Sequence, residues 1–307
     1  MIRELRGTRK HYSLDNICAA FGYTRQAWYN HLKRSELQFF QEHLVLQKIK
    51  EIRRDLPKTG CIKLYKELNK GFLQALGISM GRDAVFDLVR QNGMLVKSKK
   101  RHVYTTNSFH RYKIHPDLVQ RRPANRVEEI WVSDITYIST VTGFTYLSLV
   151  TDAYSRKIVG HYLSTNLKAA GCIKALNHAV ANRLYPKECL IHHSDRGTQY
   201  CCDDYVSILR QKEIQISMTQ TGSPYDNAIA ERVNGILKAE FELYKIFKSY
   251  KQASEAVEQA IYKYNNLRLH ASCNYQTPEI THRKQYLIKN TVNLPTVNKY
   301  QEENLVL

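Results

Sequence analysis

The sequence predicts an α/β protein in which a mixed sheet in the back half follows small all-α units in the front. Three observations predict it. The runs Ile130–Ser139, Phe144–Asp152 and Lys157–Ser164 are rich in Val, Ile, Thr and Tyr and are separated by Thr142-Gly143 and Ser155-Arg156. That is the pattern of antiparallel strands joined by hairpins. From Lys168 onward, helical and strand-like segments alternate, which implies a mixed sheet with helices on both faces. The front of the chain carries capped, helix-period segments instead.

Composition bounds the rest. With 307 residues, 43% of them apolar and 24% charged, the chain has material for about two folding units with packed cores, which excludes whole-chain disorder and a collagen-like fibre. The uncharged apolar stretches fall far short of the roughly 20 residues of a membrane span. Basic Met1–Lys10 runs into no apolar segment, so no secretory signal is visible. Seven cysteines, an odd number without paired C-x-x-C spacing, exclude a disulfide framework and a structural zinc site. The expectation is a cytoplasmic chain with no membrane partner.

Charge gives the first functional clue. Residues 1–123 hold 25 Lys/Arg against 10 Asp/Glu, whereas residues 124–307 hold 21 against 18. A charge that served solubility alone would not be confined to one end. A basic front half suits a polyanion, because each neutralised phosphate releases condensed counterions.

Ser13 caps a helix through about Ala20, Phe21-Gly22-Tyr23 turns, and Thr24 caps a second helix through about Lys33. Cys18, Gly22 and Trp28 fall where a helix-turn-helix places a small residue, a turn glycine and a core residue. Arg25, Gln26, Asn30 and Lys33 would then be exposed toward phosphates or base edges. A separate amphipathic helix is expected over 41–55, broken by Pro57 and Gly60. Helices over about Ile62–Asn69 and Arg82–Gln91 follow, the latter closed by Gly93. These form either a second helical DNA-binding unit or a three-helix spacer. Residues 97–123 read as a linker in which Lys97, Lys99, Lys100, Arg101, Arg111, Lys113, Arg121 and Arg122 are interleaved with Tyr104, Phe109 and Tyr112, as in an arm that tracks a phosphate backbone. The domain boundaries expected are 1–38, 39–96, 97–123, 124–290 and a polar tail over 291–307.

In the back half, the three hairpin strands are followed by a helix over about Lys168–Arg183 and a strand at Cys189–His193. A helix over Cys202–Lys212, a strand at Ile214–Met218 and a longer helix from Pro224 come next. Ser223 and Asp226 would cap that last helix. Its stripe Ile229, Val233, Ile236, Leu237 and Phe241 would be buried, leaving Asn227, Glu231, Asn234 and Lys238 on the polar face. A further helix over Tyr250–Asn266 packs on the core.

Three acids stand out. Asp134 interrupts the first strand, where a carboxylate costs several kcal/mol unless paired or metal-bound. Asp195 ends a strand just before Arg196-Gly197, where α/β sheets present chemistry and the glycine lets another backbone approach closely. Glu231 lies two turns before Lys238 on one helix face. Each alone is ordinary. Together, two strand positions and a helix can converge on a pair of Mg²⁺ ions that clamp an in-line phosphoryl transfer. His192-His193 reads as a structural pair, Asp152 as a supporting acid or a turn cap, and Cys201-Cys202 as helix-start packing.

These residues carry a resemblance that spans nearly the whole chain. It rests on Trp131 to Ile138, His193-Ser194-Asp195-Arg196-Gly197 with Gln199-Tyr200, and Asp226-Asn227-Ala228 leading to Glu231. The closing run Tyr264-Asn265-Asn266-Leu267-Arg268-Leu269-His270, with Tyr275 and Thr277-Pro278, extends it. The chain resembles the OrfB-type transposases of the insertion-sequence-three family, in the retroviral-integrase superfamily with an RNase H-like core. Sixty residues separate Asp134 from Asp195 and thirty-five separate Asp195 from Glu231, and both spacings fit that family's acidic triad. The resemblance implies that Asp134 bridges two Mg²⁺ ions (Mn²⁺ substituting), that Asp195 and Glu231 each hold one, and that Lys238 contacts DNA near the scissile phosphate. It further implies hydrolysis at a transposon end, then attack of the freed 3′-OH on a second phosphodiester, first giving a circle.

The partners it implies are transposon-end and target DNA and further copies of this chain on DNA. An upstream-frame product with a leucine-zipper helix-turn-helix is another, since no heptad zipper is visible here. The implied location is nucleoid-associated. Two alternatives are a metal-dependent nuclease without strand transfer and a non-catalytic DNA-binding repressor. The intact acids, Gly197 and Lys238 count against the repressor.

Overall fold

In the computed structural model, the residues described are 13–96, 111–120, 122–220 and 227–284. Two compact units result, one over Met1–Asp55 with Thr59–Lys97 and one over Leu56–Lys58 with Ser98–Leu307.

The front unit begins as expected. Helix α1 spans Leu14–Ala20, and Ser13 Oγ accepts the Asn16 N–H at 3.2 Å. The turn places Gly22 at φ +73°, a left-handed conformation that favours glycine. Thr24 Oγ1 accepts the Ala27 N–H at 3.1 Å and opens α2. Helix α2 runs Arg25–Asp55 without a break, so the two helices expected over 24–33 and 41–55 are one. The boundary expected after residue 38 falls inside it. The reason is local: no Gly or Pro occurs between Gly22 and Pro57, and nothing else stops propagation.

Helices α3 (Cys61–Leu68), α4 (Phe72–Ala75) and α5 (Arg82–Gln91) complete the unit; α4 was not expected. Val45 and Ile49 of α2, Leu64 and Leu68 of α3 and Val85 and Val89 of α5 are fully buried together. The Arg53 guanidinium donates to the carbonyls of Met94 at 2.6 Å and Thr59 at 3.0 Å, tying the end of α2 to the segments that lead into α3 and out of α5.

The second unit is built on a five-stranded sheet. Its strands are β1 (Ile130–Thr140), β2 (Gly143–Asp152), β3 (Ile158–Ser164), β4 (Ile191–Ser194) and β5 (Gln215–Met218). Their order is β3-β2-β1-β4-β5; β1 pairs antiparallel with β2 and parallel with β4, which pairs parallel with β5. The intervening helices are α6 (Ala169–Ala181), α7 (Thr198–Cys201), α8 (Asp203–Gln211), α9 (Ala228–Glu240) and α10 (Tyr250–Asn266).

Period-two alternation sorts the core onto two faces. Trp131 and Val150 pack with Leu176 of α6 and Leu209 of α8, while Ile138 and Leu149 pack with Val233 of α9 and Val257 of α10. Gly160 lets α6 close on β3: a Cβ there would lie 2.2 Å from the Ala175 carbonyl oxygen. Ser249 caps α10 by accepting the Gln252 N–H at 3.2 Å. A 3₁₀ turn over Ala271–Cys273 and helical residues 278–284 follow, neither foreseen.

One start is corrected. The last core helix was expected from Pro224, with Ser223 and Asp226 at its cap; those residues lie outside the described ones, and α9 begins at Ala228. Asn227 precedes it at φ −126°, ψ 32°, with its amide turned to donate to the Ser133 carbonyl at 3.0 Å. The tail over 291–307 also lies outside the described residues.

Candidate active site

Strand register brings two of the acids together. Parallel pairing sets Val132 beside His193, so two residues further on Asp134 and Asp195 stand at the same level of neighbouring strands. Asp134 is half-buried and points to the face covered by α9. Its Oδ1 accepts the Ile135 N–H at 2.8 Å and its Oδ2 accepts the Asn234 amide at 2.7 Å. Helix α9 carries Glu231 one turn before Asn234 and Lys238 one turn after.

Electrostatics shows that these groups act on one another. Burial pushes the Asp134 carboxyl up to about 7, and the Asp195 charge adds to that. The bonds from Ile135 and Asn234 pull in the other direction, and Glu231 raises it further. Burial also raises Glu231. It lowers the half-buried Lys238, against which the negative charge of Asp134 holds the proton on.

Asp195 Oδ1 accepts the Gly197 N–H at 2.9 Å. A Cβ on Gly197 would lie 3.0 Å from that oxygen and 3.1 Å from Gln199 Oε1. The glycine therefore keeps space for side-chain oxygens; the close backbone approach expected there is absent from its nearest contacts. Arg196 donates to the carbonyls of Thr219, at 2.6 Å, and Gln220, fixing the chain after β5.

The neighbouring histidines are structural. His192 is buried with its pKa lowered to about 3, so it is neutral, and its Nε2 meets Ser133 Oγ at 2.8 Å and the Tyr205 hydroxyl at 2.9 Å. His193 Nδ1 lies 2.9 Å from Ser217 Oγ. Asp152 is a turn cap: fully buried, it accepts the Glu128 N–H and the N–H and hydroxyl of Ser155 at 2.7–2.8 Å.

Asp134, Asp195, Glu231 and Lys238 thus form one electrostatic neighbourhood. Arg25, Gln26, Asn30 and Lys33 are exposed on the first turns of α2, in the other unit. Lys97, Lys99, Lys100 and Arg101 lie outside the described residues. Among the described residues no three His, Cys, Asp or Glu side chains form a group that could hold a metal ion by themselves. Sequence reasoning missed Asn234, 7% exposed: it placed the residue on the polar face of its helix without a role, yet the side chain turns to Asp134 of β1.

Residues 124–224 match the integrase core domain family, and residues 212–278 match a second family of the same description. The chain is 32% identical over 275 residues to the insertion element IS600 uncharacterized 31 kDa protein of Shigella sonnei, covering 88% of this chain and 98% of that one. It is 33% identical over 228 residues, 71% of this chain and 79% of the other, to a putative transposase for insertion sequence element IS986/IS6110 of Mycobacterium tuberculosis. The chain belongs to the IS3 family of transposases. Transposase InsF for insertion sequence IS3A, from Escherichia coli K12, is 28% identical over 278 residues, 87% of this chain and 93% of its own. The family sits in the retroviral-integrase superfamily, and the mixed sheet of this transposase is the RNase H-like integrase core. Its function lies in DNA transposition and integration. No described helix is long and apolar enough to cross a membrane.

Proposed function

We propose that Asp134, Asp195 and Glu231 are the catalytic carboxylates with which this transposase cuts insertion-sequence ends and joins the freed ends to DNA. One observation carries the reading. Residues from a mid-strand position, a strand end and a helix lie near enough that, beyond the effect of burial, the charges of Asp195 and Glu231 add to what raises the Asp134 carboxyl to about 7. A fold gains nothing from assembling mutually repelling acids unless a cation or a reaction uses them.

The donor set suits hard divalent cations. Mg²⁺ needs only one or two protein carboxylates beside water and substrate phosphates, so a three-residue protein cage is not required. Asp134, Asp195 and Glu231 would together hold a pair of such ions, Mg²⁺ or Mn²⁺, through their carboxylate oxygens. When bound, the pair would activate the attacking hydroxyl and stabilise both the attacking and the leaving oxygen of an in-line displacement. The remaining roles belong to the chain. Asn234 holds Asp134 in one orientation through its 2.7 Å bond, and Gly197 leaves the Asp195 carboxylate uncrowded. Lys238, whose positive charge Asp134 favours against the effect of burial, would bind a backbone phosphate beside the cut. Arg25, Gln26 and Asn30 on α2, and the segment holding Lys97, Lys99, Lys100 and Arg101, would hold the transposon end and the target.

An outward-facing PCR across the circle junction, in cells carrying the gene with its flanks, tests this. The expected result is a junction product with wild type and none with Asp195→Asn. A junction made equally by Asp195→Asn overturns the carboxylate assignment. Cut ends without any junction would favour a nuclease that does not transfer strands.

A further inference from the structure

We infer that α2 is a self-association surface on which two copies of this chain pair antiparallel. The middle of this 31-residue helix is unsupported: all eight residues from Lys33 to Phe40 are exposed. Among them are Phe39 at 73%, Phe40 at 59% and Leu37 at 56% exposed. Helices of ordinary composition persist in water mainly through packing of an apolar face. Large side chains clustered on an open face mark a contact surface.

The direction of that face is set by helix geometry. At about 100° per residue, Tyr29, Lys33, Glu36 and Phe40 fall within one narrow stripe, at the four-three-four spacing of a two-helix seam. Leu37 and Phe39 flank it on either side. Val45 and Ile49, which α2 buries in the core of its own unit, point to the opposite side of the helix. The seam therefore lies away from the α3–α5 core and is open to a partner.

Charge complementarity identifies that partner as a second copy and fixes its direction. The two central seam residues are one cation and one anion. Antiparallel pairing about a two-fold between Arg34 and Ser35 sets Lys33 against Glu36 of the second copy, and Glu36 against its Lys33. The same register lays Tyr29 on Phe40 of the second copy, twice over, a self-complementary contact of the kind two-fold dimers use. Parallel pairing would oppose Lys33 to Lys33 and Glu36 to Glu36, which repels. This assigns Lys33 to protein contact and not to DNA. It rests on α2 alone and stands whether or not the core is catalytic.

Sedimentation of the full-length chain, nuclease-treated and free of DNA, tests the interface. Wild type is expected to dimerise at micromolar concentration. Phe40→Glu and Lys33→Glu should each weaken the dimer at least about tenfold, the scale of losing one buried anchor or its paired charges. The double variant Lys33→Glu with Glu36→Lys should regain wild-type affinity, because the crossed pairs are restored with their signs exchanged. Far-ultraviolet circular dichroism should show the same helix content in all four proteins. A wild type that stays monomeric, or dimerises only when DNA is added, overturns the proposal. So does a dimer indifferent to Phe40→Glu, or a double variant no tighter than Lys33→Glu.

Discussion

At the scale of single residues, Asp134 is where structure and chemistry conflict most. Its folded pKa of about 7 stands above the ordinary value of 3.8, so the native state holds the proton more tightly than the unfolded chain. Stability is therefore greatest below about pH 4 for this group and declines as pH rises from there through 7. The loss is on the order of 2–4 kcal/mol at pH 8. In metal-free protein, Asp134→Asn should raise the melting temperature at pH 8 relative to wild type and change it little at pH 4. Added Mg²⁺ should recover stability for wild type alone; equal shifts in both proteins would contradict the reading.

Asn234 supports the charged form by donating to it. Removing that donor in Asn234→Ala should move the acidic limb of the pH–rate profile to higher pH and lower turnover at neutral pH about tenfold or more. An unchanged limb would show that the 2.7 Å bond has no part in setting the charge. Asp134 was legible in the sequence because a carboxylate inside a β run is anomalous on its face. Asn234 was not, since amides on helix surfaces are common and only the packing of α9 on β1 shows where its side chain goes.

At the scale of elements, the chain announces starts more clearly than ends. Ser13 and Thr24 form the caps their types suggested, and α5 and α10 fall on their expected bounds. The front helices were divided wrongly at residues 34–40, where the amphipathic pattern lapses. The lapse marks a helix without an intramolecular neighbour. The start of α9 was misplaced for a related reason: Asn227 bonds across to β1, a tertiary contact that no local capping rule contains. The β3–α6 contact yields a sharp test, since the Ala175 oxygen lies where a Gly160 Cβ would go. Gly160→Ala should cost about 1–3 kcal/mol or more in urea unfolding; a neutral effect would mean that the two elements are not held at this distance.

At the scale of the whole molecule, labour is divided along the chain. The excess of positive charge lies in residues 1–123, and the acids lie in the integrase core. The sheet order β3-β2-β1-β4-β5 sets the proposed acids side by side. It sets the first long strand beside the short parallel one, so that a mid-strand Asp134 and a strand-end Asp195 become neighbours, and α9 closes over them with Glu231. Two acids on strand positions and one on a helix face suggested that convergence in the sequence, and the family resemblance matched their spacing. The buried cluster that binds the C-terminal helical residues to the sheet was illegible. There Glu128, 1% exposed, accepts the N–H groups of Leu184 and Tyr185, with His282 within 3.7 Å. Its members are scattered over more than 150 residues and follow no local pattern.

Three carboxylates from three elements would serve one divalent-metal site. Titrating the full-length protein with Mn²⁺, reading free ion by its paramagnetic resonance, tests it directly. Wild type should bind Mn²⁺ more tightly as pH rises through 7, where the Asp134 proton no longer competes. Asp134→Asn, Asp195→Asn and Glu231→Gln should each weaken binding at least about tenfold. Binding that is independent of pH and unchanged in all three variants would contradict a shared carboxylate site.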